Sequence, residues 1–150
     1  MGVKLRAALD PASFDISLQD RTHCLFDFPQ KKFRMKPDIV VTRKVDGAIF
    51  ILDTKWKLLD AAKPNAGIVQ TDMYQMFAYQ KKYGAVNVTL LYPQSDRYLS
   101  GQKLKFSSSD GATVDAVFID MFDIQSSVAM LAQRLAPAAN AGRHTPCEAI

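Results

Sequence analysis

The clearest pattern in the sequence is a pair of apolar, mostly β-branched runs on either side of a short polar stretch. The runs cover residues 37–42 and 48–56, and the dipeptide Asp46-Gly47 lies between them. An Asp-Gly pair between two such runs predicts a β-hairpin that turns over two residues. Apolar residues occupy both odd and even positions of the runs, which indicates a sheet covered on both faces.

Further periodic segments predict an α/β domain, a mixed β-sheet flanked by helices. A segment with apolar residues at Met73, Met76 and Phe77 is followed by Gly84, and glycine commonly ends helices. Strands are predicted where β-branched and aromatic residues cluster between turn residues. The predicted helices cover residues 71–83 and 124–135, and the remaining predicted strands cover residues 21–28, 87–92, 103–106 and 113–119.

The length of 150 residues fits a single domain. Residues 1–20 show no sustained period, and we expect a poorly defined, loosely attached segment there. Residues 21–136 contain the strong strand and helix signals and form the predicted domain. Residues 137–150 are mostly small or polar, which predicts a flexible C-terminal tail.

Composition and charge narrow the possible function classes. Hydrophobic residues make up 48% of the chain and charged residues 23%, which fits a folded globular domain. No run approaches the ~20 apolar residues that span a bilayer, and the N-terminus lacks the apolar stretch of a secretory signal. We therefore expect a cytoplasmic protein without a membrane partner. The net charge of +4 is compatible with a polyanionic partner such as DNA.

Four basic residues follow the predicted strand at 21–28, and Phe33 and Met35 lie between them. The run has two interpretations, a solvated loop or edge strand, or a stripe that contacts DNA phosphates. The basic residues are Lys31, Lys32, Arg34 and Lys36.

Residue counts exclude several kinds of chemistry. The single glutamate is Glu148, close to the C-terminus, so a catalytic glutamate inside the core is excluded. The chain has two cysteines, Cys24 and Cys147, and two histidines, His23 and His144, without a Cys-x-x-Cys motif. These counts argue against a structural zinc site and against a disulfide scaffold.

The predicted hairpin places three charged side chains on one face of the sheet. With a two-residue turn, Asp38 lies opposite Lys55, and Val40 lies opposite Asp53. Asp38 and Asp53 are then diagonal neighbours, ~7–8 Å apart at the backbone, and their side chains can share an ion. Carboxylates in an apolar sheet are costly without a partner. Two partners are possible for these carboxylates. One is Mg²⁺, which is usually held by one or two carboxylates, and the other is a simple salt bridge with Lys55.

The same residues resemble the PD-(D/E)xK nuclease signature, in which one acid begins a strand and an acid-x-lysine triplet lies on the next. The matching residues are Pro37-Asp38 and, fifteen residues after the first acid, Asp53-Thr54-Lys55. The surrounding sequence resembles the catalytic domain of McrC, the nuclease subunit of McrBC-type modified-cytosine restriction systems, over roughly residues 20–135. The segments that carry this resemblance are Lys36 to Val40, Ile51 to Lys57 and Asp72 to Tyr79.

The resemblance implies a nuclease that hydrolyses DNA phosphodiester bonds in a PD-(D/E)xK, restriction-endonuclease-like core. Asp38, Asp53 and the backbone carbonyl of Thr54 would hold Mg²⁺, for which Mn²⁺ is the expected substitute. Lys55 would orient a water molecule or stabilise developing negative charge. The basic run described above would contact the DNA.

Gln75 and Tyr79 match a Gln-x-x-x-Tyr motif on a helix that flanks the active site in related nucleases. Because they are four residues apart, they share one helix face with Asp72 and Lys82. We therefore count Gln75 and Tyr79 among the catalytic residues. The alternative interpretation is an ordinary polar face of a helix.

The resemblance also implies two partners, DNA and an AAA+ GTPase subunit of McrB type. The chain contains no Gly-x-x-x-x-Gly-Lys-Ser/Thr motif, so nucleotide hydrolysis is assigned to the partner. McrC proteins are longer and carry an N-terminal portion that engages the GTPase, and we expect that portion to be absent here.

One departure from the family pattern bears on activity. Nucleases of this superfamily often carry a glutamate on a helix before the first core strand, and this chain has none there. Asp15 or Asp20 replaces it, or the helix itself is missing. The alternative function is therefore a non-catalytic relative that binds DNA or the GTPase, and a third is a small domain with purely structural acids.

Overall fold

A computed structural model describes residues 1–137 of the chain. The helices within these residues are Gly2–Ala8 (α1), Gln70–Tyr83 (α2) and Ile124–Leu135 (α3). The strands are Phe14–Leu18 (β1), Cys24–Phe26 (β2), Lys32–Arg34 (β3), Ile39–Arg43 (β4), Ala48–Thr54 (β5), Asn87–Pro93 (β6), Lys103–Ser107 (β7) and Thr113–Ile119 (β8). A single 3-10 turn over Pro64–Gly67 lies in the loop between β5 and α2.

Six strands form one mixed sheet in the order β1-β4-β5-β6-β8-β7, and β2 pairs with β3 in a separate two-stranded ribbon. The strands β5, β6 and β8 are parallel, whereas β1, β4 and β7 are antiparallel to their neighbours. The mixed α/β sheet flanked by helices confirms the predicted class at this level. The carboxyl ends of the three parallel strands meet at one edge of the sheet.

Apolar side chains cover both faces of the main sheet, as the strand pattern predicts. α2 covers one face, where Met76 joins the same cluster as Ile51. α1 and α3 cover the other face, where Leu5 and Leu131 join the cluster that contains Leu52. Full burial of such a side chain contributes about 1.5–3 kcal/mol, so the two clusters hold the helices firmly against the sheet.

The β4–β5 hairpin is present, but its predicted turn is wrong. Arg43 pairs with Ala48, so the turn contains four residues rather than two. A two-residue Asp-Gly turn needs positive φ at both residues. Gly47 has a φ of 70°, but Asp46 does not adopt positive φ, and its carboxylate accepts hydrogen bonds from the Arg43 guanidinium and the Ala48 amide. The pairing shifts by two residues, so every side chain keeps its predicted face.

Residues 1–20 belong to the domain, which corrects the prediction of a loosely attached segment. α1 buries Leu5, and β1 pairs with β4 along its whole length. A helix of seven residues and a strand of five are too short to show a sustained period in the sequence. The predicted strand at 21–28 is also wrong in part, since only Cys24–Phe26 is a strand and it lies in the ribbon.

The two long helices lie close to their predicted bounds. α2 ends where Gly84 adopts a left-handed φ of 61°, and α3 begins after Asp123, whose side chain accepts a hydrogen bond from the Ser126 amide. No helix in residues 1–137 is long and apolar enough to cross a membrane. Apart from Pro137, the predicted tail at 137–150 lies outside the described residues.

Candidate active site

Two carboxylates face each other where β4 begins and β5 ends. The observed register pairs Ile39 with Leu52, so continuing it by one residue places Asp38 opposite Asp53, rather than opposite Lys55 as predicted. Asp53 lies two residues after Ile51 and Asp38 two residues before its pairing partner Val40, so both aspartates lie on the face that α2 covers. The sequence prediction of a shared face therefore holds although the pairing differs.

Hydrogen bonds fix the side chain of Asp38. Its Oδ2 accepts from the Thr54 amide at 2.9 Å and from Thr54 Oγ1 at 2.5 Å. Its Oδ1 accepts from Gln19 Nε2 at 2.6 Å. Gln19 follows β1, so the N-terminal segment contributes directly to this site. Sequence reasoning missed Gln19, because nothing in the sequence alone indicated that β1 pairs with β4.

Asp53 is the buried acid of the pair, with 6% of its surface exposed. Burial raises the pKa of Asp53, and the negative charge of Asp38 raises it further, although the ammonium of Lys55 opposes both effects. The Lys55 Nζ lies 2.8 Å from Asp53 Oδ2. Because one lysine does not compensate two neighbouring carboxylates, this part of the sheet carries an excess of negative charge.

Lys55 is held by three oxygen-bearing side chains at once. Besides Asp53, its Nζ lies 3.2 Å from Asp72 Oδ1 and 3.3 Å from Gln75 Oε1. Burial works to lower the pKa of Lys55, but the ion pairs with Asp53 and Asp72 outweigh burial and raise that pKa. Lys55 is therefore a cation at neutral pH, suited to stabilising negative charge and unsuited to accepting a proton.

The helix α2 places Gln75 and Tyr79 next to this lysine, as the spacing predicts. Gln75 Nε2 donates to the Tyr79 hydroxyl at 2.9 Å while its Oε1 accepts from Lys55. Tyr79 is 3% exposed, and burial together with the charge of Asp53 raises its pKa. Tyr79 is therefore a neutral phenol that orients the Gln75 amide. Of the apolar residues that predicted this helix, Met76 is fully buried whereas Phe77 is 43% exposed.

Sequence analysis assigned no role to two further residues at this site. Asp72 contacts Lys55 and also lies 3.0 Å from Lys57 Nζ, and it stands one helical turn before Gln75 on the same face of α2. That spacing was the available signal. Tyr92 is fully buried, its hydroxyl has no hydrogen-bond partner among the described residues, and burial followed by the charges of Asp72 and Asp53 raises its pKa. The apolar run around Tyr92 gave no signal for this position.

The donor set determines whether a metal ion fits. No group of three or more His, Cys, Asp or Glu side chains within residues 1–137 is arranged to hold one. Two carboxylates are nevertheless enough for Mg²⁺, which usually keeps several waters and is bound through one or two of them. Asp38 and Asp53 supply hard oxygen donors, and burial, with a smaller contribution from the charge of Asp38, raises the pKa of Asp53 in spite of Lys55. These residues fit a hard divalent cation.

The four basic residues singled out in the sequence lie on or beside β3, and all four side chains are exposed. The buried Met35 anchors the strand in the core below α2. An ion pair of 2.7 Å between Asp27 and Lys82 ties the β2–β3 ribbon to α2. The ribbon leads into the segment that contains Asp38, so the basic residues lie close in sequence to the first acid. These four are Lys31, Lys32, Arg34 and Lys36.

The suggested replacements for the family glutamate do not join the site. Asp15 is exposed and pairs with Thr42, four residues along β1–β4 from Asp38. Asp20 is buried in a separate cluster, where it accepts hydrogen bonds from Ser17, Thr22 and Tyr83. A helix does precede the first strand, but α1 carries no acid.

Comparison with known proteins gives a family match and a structural match. Residues 3–93 match the family model described as McrBC 5-methylcytosine restriction system component. The fold is similar to that of a chain from the Thermococcus gammatolerans assembly described as McrB AAA+ hexamers with bound McrC, with a TM-score of 0.62 and 14% sequence identity. The alignment covers 89% of this chain and 30% of the other, so this chain spans about 30% of that protein's length. No curated protein sequence matches the chain significantly.

Proposed function

The chain belongs to the family of McrBC 5-methylcytosine restriction system components, and from this premise we propose that it is a Mg²⁺-dependent DNA endonuclease domain of McrC type. The observation that carries the proposal is the cluster of Asp38, Asp53, Lys55 and Gln75 at one edge of the sheet. All four lie within the residues that match the family model.

The fold of this proposal is a PD-(D/E)xK core. Its support is the arrangement of the acids, with Asp38 at the start of β4 and Asp53 and Lys55 at the end of the adjacent strand β5. α2 then crosses the same face and carries the Gln-x-x-x-Tyr pair. A salt bridge alone explains Lys55 and Asp53, but it leaves the second carboxylate without a cation.

Asp38 and Asp53, with the backbone carbonyl of Thr54, are the residues that would hold Mg²⁺ or its substitute Mn²⁺. The ion, when bound, neutralises charge on the DNA phosphate and lowers the pKa of a bound water. Burial of Asp53 strengthens its attraction for any cation, because charges interact more strongly away from solvent. Thr54 holds Asp38 in place through the two hydrogen bonds described above.

Lys55 acts on the phosphate as a fixed positive charge. Its raised pKa keeps it protonated, so it stabilises the negative charge that develops during phosphodiester hydrolysis. Asp72 and Gln75 hold its ammonium group from the side of α2. Asp72 therefore becomes the main carboxylate partner of Lys55 whenever Asp53 is engaged by a cation.

DNA is the proposed substrate, and the β2–β3 ribbon supplies its electrostatic attraction. Lys32 and Arg34 lie on an exposed strand that leads into the segment containing Asp38. DNA phosphates bound by these two side chains would therefore lie on the side of the domain where the acids are. An AAA+ GTPase of McrB type is the proposed partner, because the structural neighbour comes from an assembly of McrB hexamers with bound McrC. Nucleotide hydrolysis belongs to that partner, since this sequence has no phosphate-binding loop motif.

One observation favours a second function, a non-catalytic adaptor that binds DNA or the GTPase. α1 occupies the position of the helix that often carries a glutamate in related nucleases, and its charged side chains are Lys4 and Arg6. A site with one fewer acid binds a cation more weakly. The adaptor keeps the same ribbon contacts with DNA but does not cleave.

Cleavage of supercoiled plasmid DNA with Mg²⁺ or Mn²⁺ separates the two functions. We expect slow cleavage by this chain that does not depend on cytosine modification and that stops in Asp53→Asn. The exposed Asp96→Asn removes the same charge elsewhere and is expected to cut at the wild-type rate. Binding without any cleavage, by wild type in either metal, would favour the adaptor.

A further inference from the structure

A cavity adjoins the acid cluster at the carboxyl ends of β5, β6 and β8. It has a volume of about 220 Å³, and Thr54 and Lys55 form part of its wall. Most of the remaining wall is apolar, with Lys4 of α1 as a second cation. The other apolar wall residues come from β6, β8 and the segment that leads into α3, and they include Leu91, Pro93, Ile119, Met121 and Ile124.

Trp56 lies at the border between this cavity and a neighbouring hollow that contains Asp38. Its side chain lines both hollows and is 71% exposed. Tryptophan is highly buried on average, so an exposed ring next to a charged site indicates a surface that binds a ligand. Trp56 is also the only tryptophan in the sequence.

We propose that Trp56 and this apolar cavity receive a nucleobase next to the DNA phosphate that lies at the acid cluster. The proposal rests on the proposed nuclease function, because that function supplies the phosphate. Lys55 belongs to the cluster, Thr54 is hydrogen-bonded to Asp38, and both residues line the cavity, so one nucleotide would reach from the cluster to the cavity. The site would then bind the DNA strand through a base as well as through its backbone.

The chemistry of the cavity favours a base over other occupants. Every nucleobase has a flat π face that stacks on an aromatic ring, and such stacking does not depend on sequence. Lys4 and Lys55 border the cavity, which suits a ligand that carries negative charge beside its apolar part. An uncharged apolar peptide would leave the Lys4 ammonium beside the cavity without a negatively charged partner, whereas Lys55 is already paired with Asp53 and Asp72.

Tryptophan fluorescence tests the proposal directly, since all tryptophan emission comes from residue 56. The full chain is titrated without divalent metal, first with short single-stranded DNA and then with a strand of abasic sites of the same length and charge. We expect the DNA to quench the emission strongly and the abasic strand to bind with little quenching. Anisotropy of a labelled strand measures binding independently of the emission.

Two substitutions of Trp56 and one control substitution provide the matching binding data. Trp56→Ala is expected to weaken binding of the base-containing strand about tenfold and to leave binding of the abasic strand unchanged. Trp56→Phe keeps an aromatic face and is expected to restore most of that affinity. Phe77→Ala removes another exposed aromatic ring that does not line the cavity, and it is expected to bind like wild type.

The outcomes separate this proposal from the nuclease proposal. Equal quenching by both strands, or saturated binding without quenching, overturns the base site even if the protein cuts DNA. Base-dependent quenching without cleavage in either metal keeps the base site and overturns only the catalytic proposal. Absence of binding to either strand overturns the base site, and the nuclease proposal is then decided by the plasmid cleavage described above.

Discussion

Two buried aspartates in this domain have opposite electrostatic surroundings. Asp20 is 9% exposed and Asp53 is 6% exposed, so burial alone would raise both pKa values. At Asp20, hydrogen bonds from Thr22, Tyr83 and Ser17 outweigh burial and lower the pKa to about 2. At Asp53, burial and the charge of Asp38 prevail, and the pKa is raised in spite of Lys55.

The two aspartates differ in what compensates their charge. Asp20 has only neutral hydrogen-bond donors and no second carboxylate among its partners, so its ionised form stabilises the fold. Asp53 faces a second carboxylate and shares its lysine with Asp72, so it lies in a site that a cation would stabilise. Both side chains have little exposed surface, but Asp53 lies deeper among protein atoms, so the depth of burial and the neighbours together set the two pKa values.

The largest expected effect is the loss of cleavage in Asp53→Asn. We expect the rate to fall by about 10³-fold or more, because a cation ligand is removed. The free energy of unfolding should stay within about 1 kcal/mol of wild type or rise, since the repulsion from Asp38 disappears and Lys55 keeps Asp72. Plasmid cleavage and urea unfolding measure the two quantities. A large loss of stability would instead favour a structural salt bridge.

α2 allows the next test, because it carries Gln75 at the Asp53 site and Met76 in the core. Gln75→Ala should reduce turnover by about 10²-fold while it costs under about 0.5 kcal/mol of stability. Met76→Ala should cost about 2–5 kcal/mol, since Met76 is fully buried, with no specific effect on turnover of the folded protein. Parallel losses of stability and activity in Gln75→Ala would mean that Gln75 only packs.

Asp20→Asn should act on stability alone. The lowered pKa of Asp20 means that its ionised form stabilises the fold fully above pH 4 and that this contribution is lost as the pH falls toward 2. We expect the variant to lose roughly 2 kcal/mol at neutral pH and to show a smaller decline in stability between pH 4 and 2. Thermal unfolding across this range checks the prediction. An unchanged acid profile would show that Asp20 is not the stabilising group.

Tyr83→Phe is the smallest test of the same cluster. The Tyr83 hydroxyl donates a hydrogen bond to Asp20 at 2.8 Å. Removing a hydrogen bond to a charged group costs about 1.5–3 kcal/mol of stability, and less where water replaces the donor. We expect a loss of about 1 kcal/mol with an unchanged cleavage rate. A fall in the cleavage rate would contradict the separation of the two aspartate sites.

Local signals explain which parts of the site the sequence could predict. The predicted hairpin pairing was wrong by two residues. Because side chains alternate between faces with a period of two, Asp38, Asp53 and Lys55 were still predicted on the correct face. Gln75 and Tyr79 were predicted together because residues four positions apart lie on the same face of a helix. Both inferences depend on residues close in sequence.

Contacts between distant segments were not predictable in this way. Gln19 reaches Asp38 only because β1 pairs with β4, and the five residues of β1 gave no period by which to recognise it. Tyr83 reaches Asp20 across 63 positions of the chain. Such partners follow from the packed fold, and no local propensity indicates them.

Calorimetric titration with Mn²⁺ tests the central claim most directly, because it measures cation binding without requiring cleavage. We expect wild type to bind Mn²⁺, Asp38→Asn and Asp53→Asn to lose this binding, and Asp20→Asn to retain it. Equal binding by wild type and Asp53→Asn, or no binding by wild type, would contradict the assignment of Asp38 and Asp53 as the metal ligands.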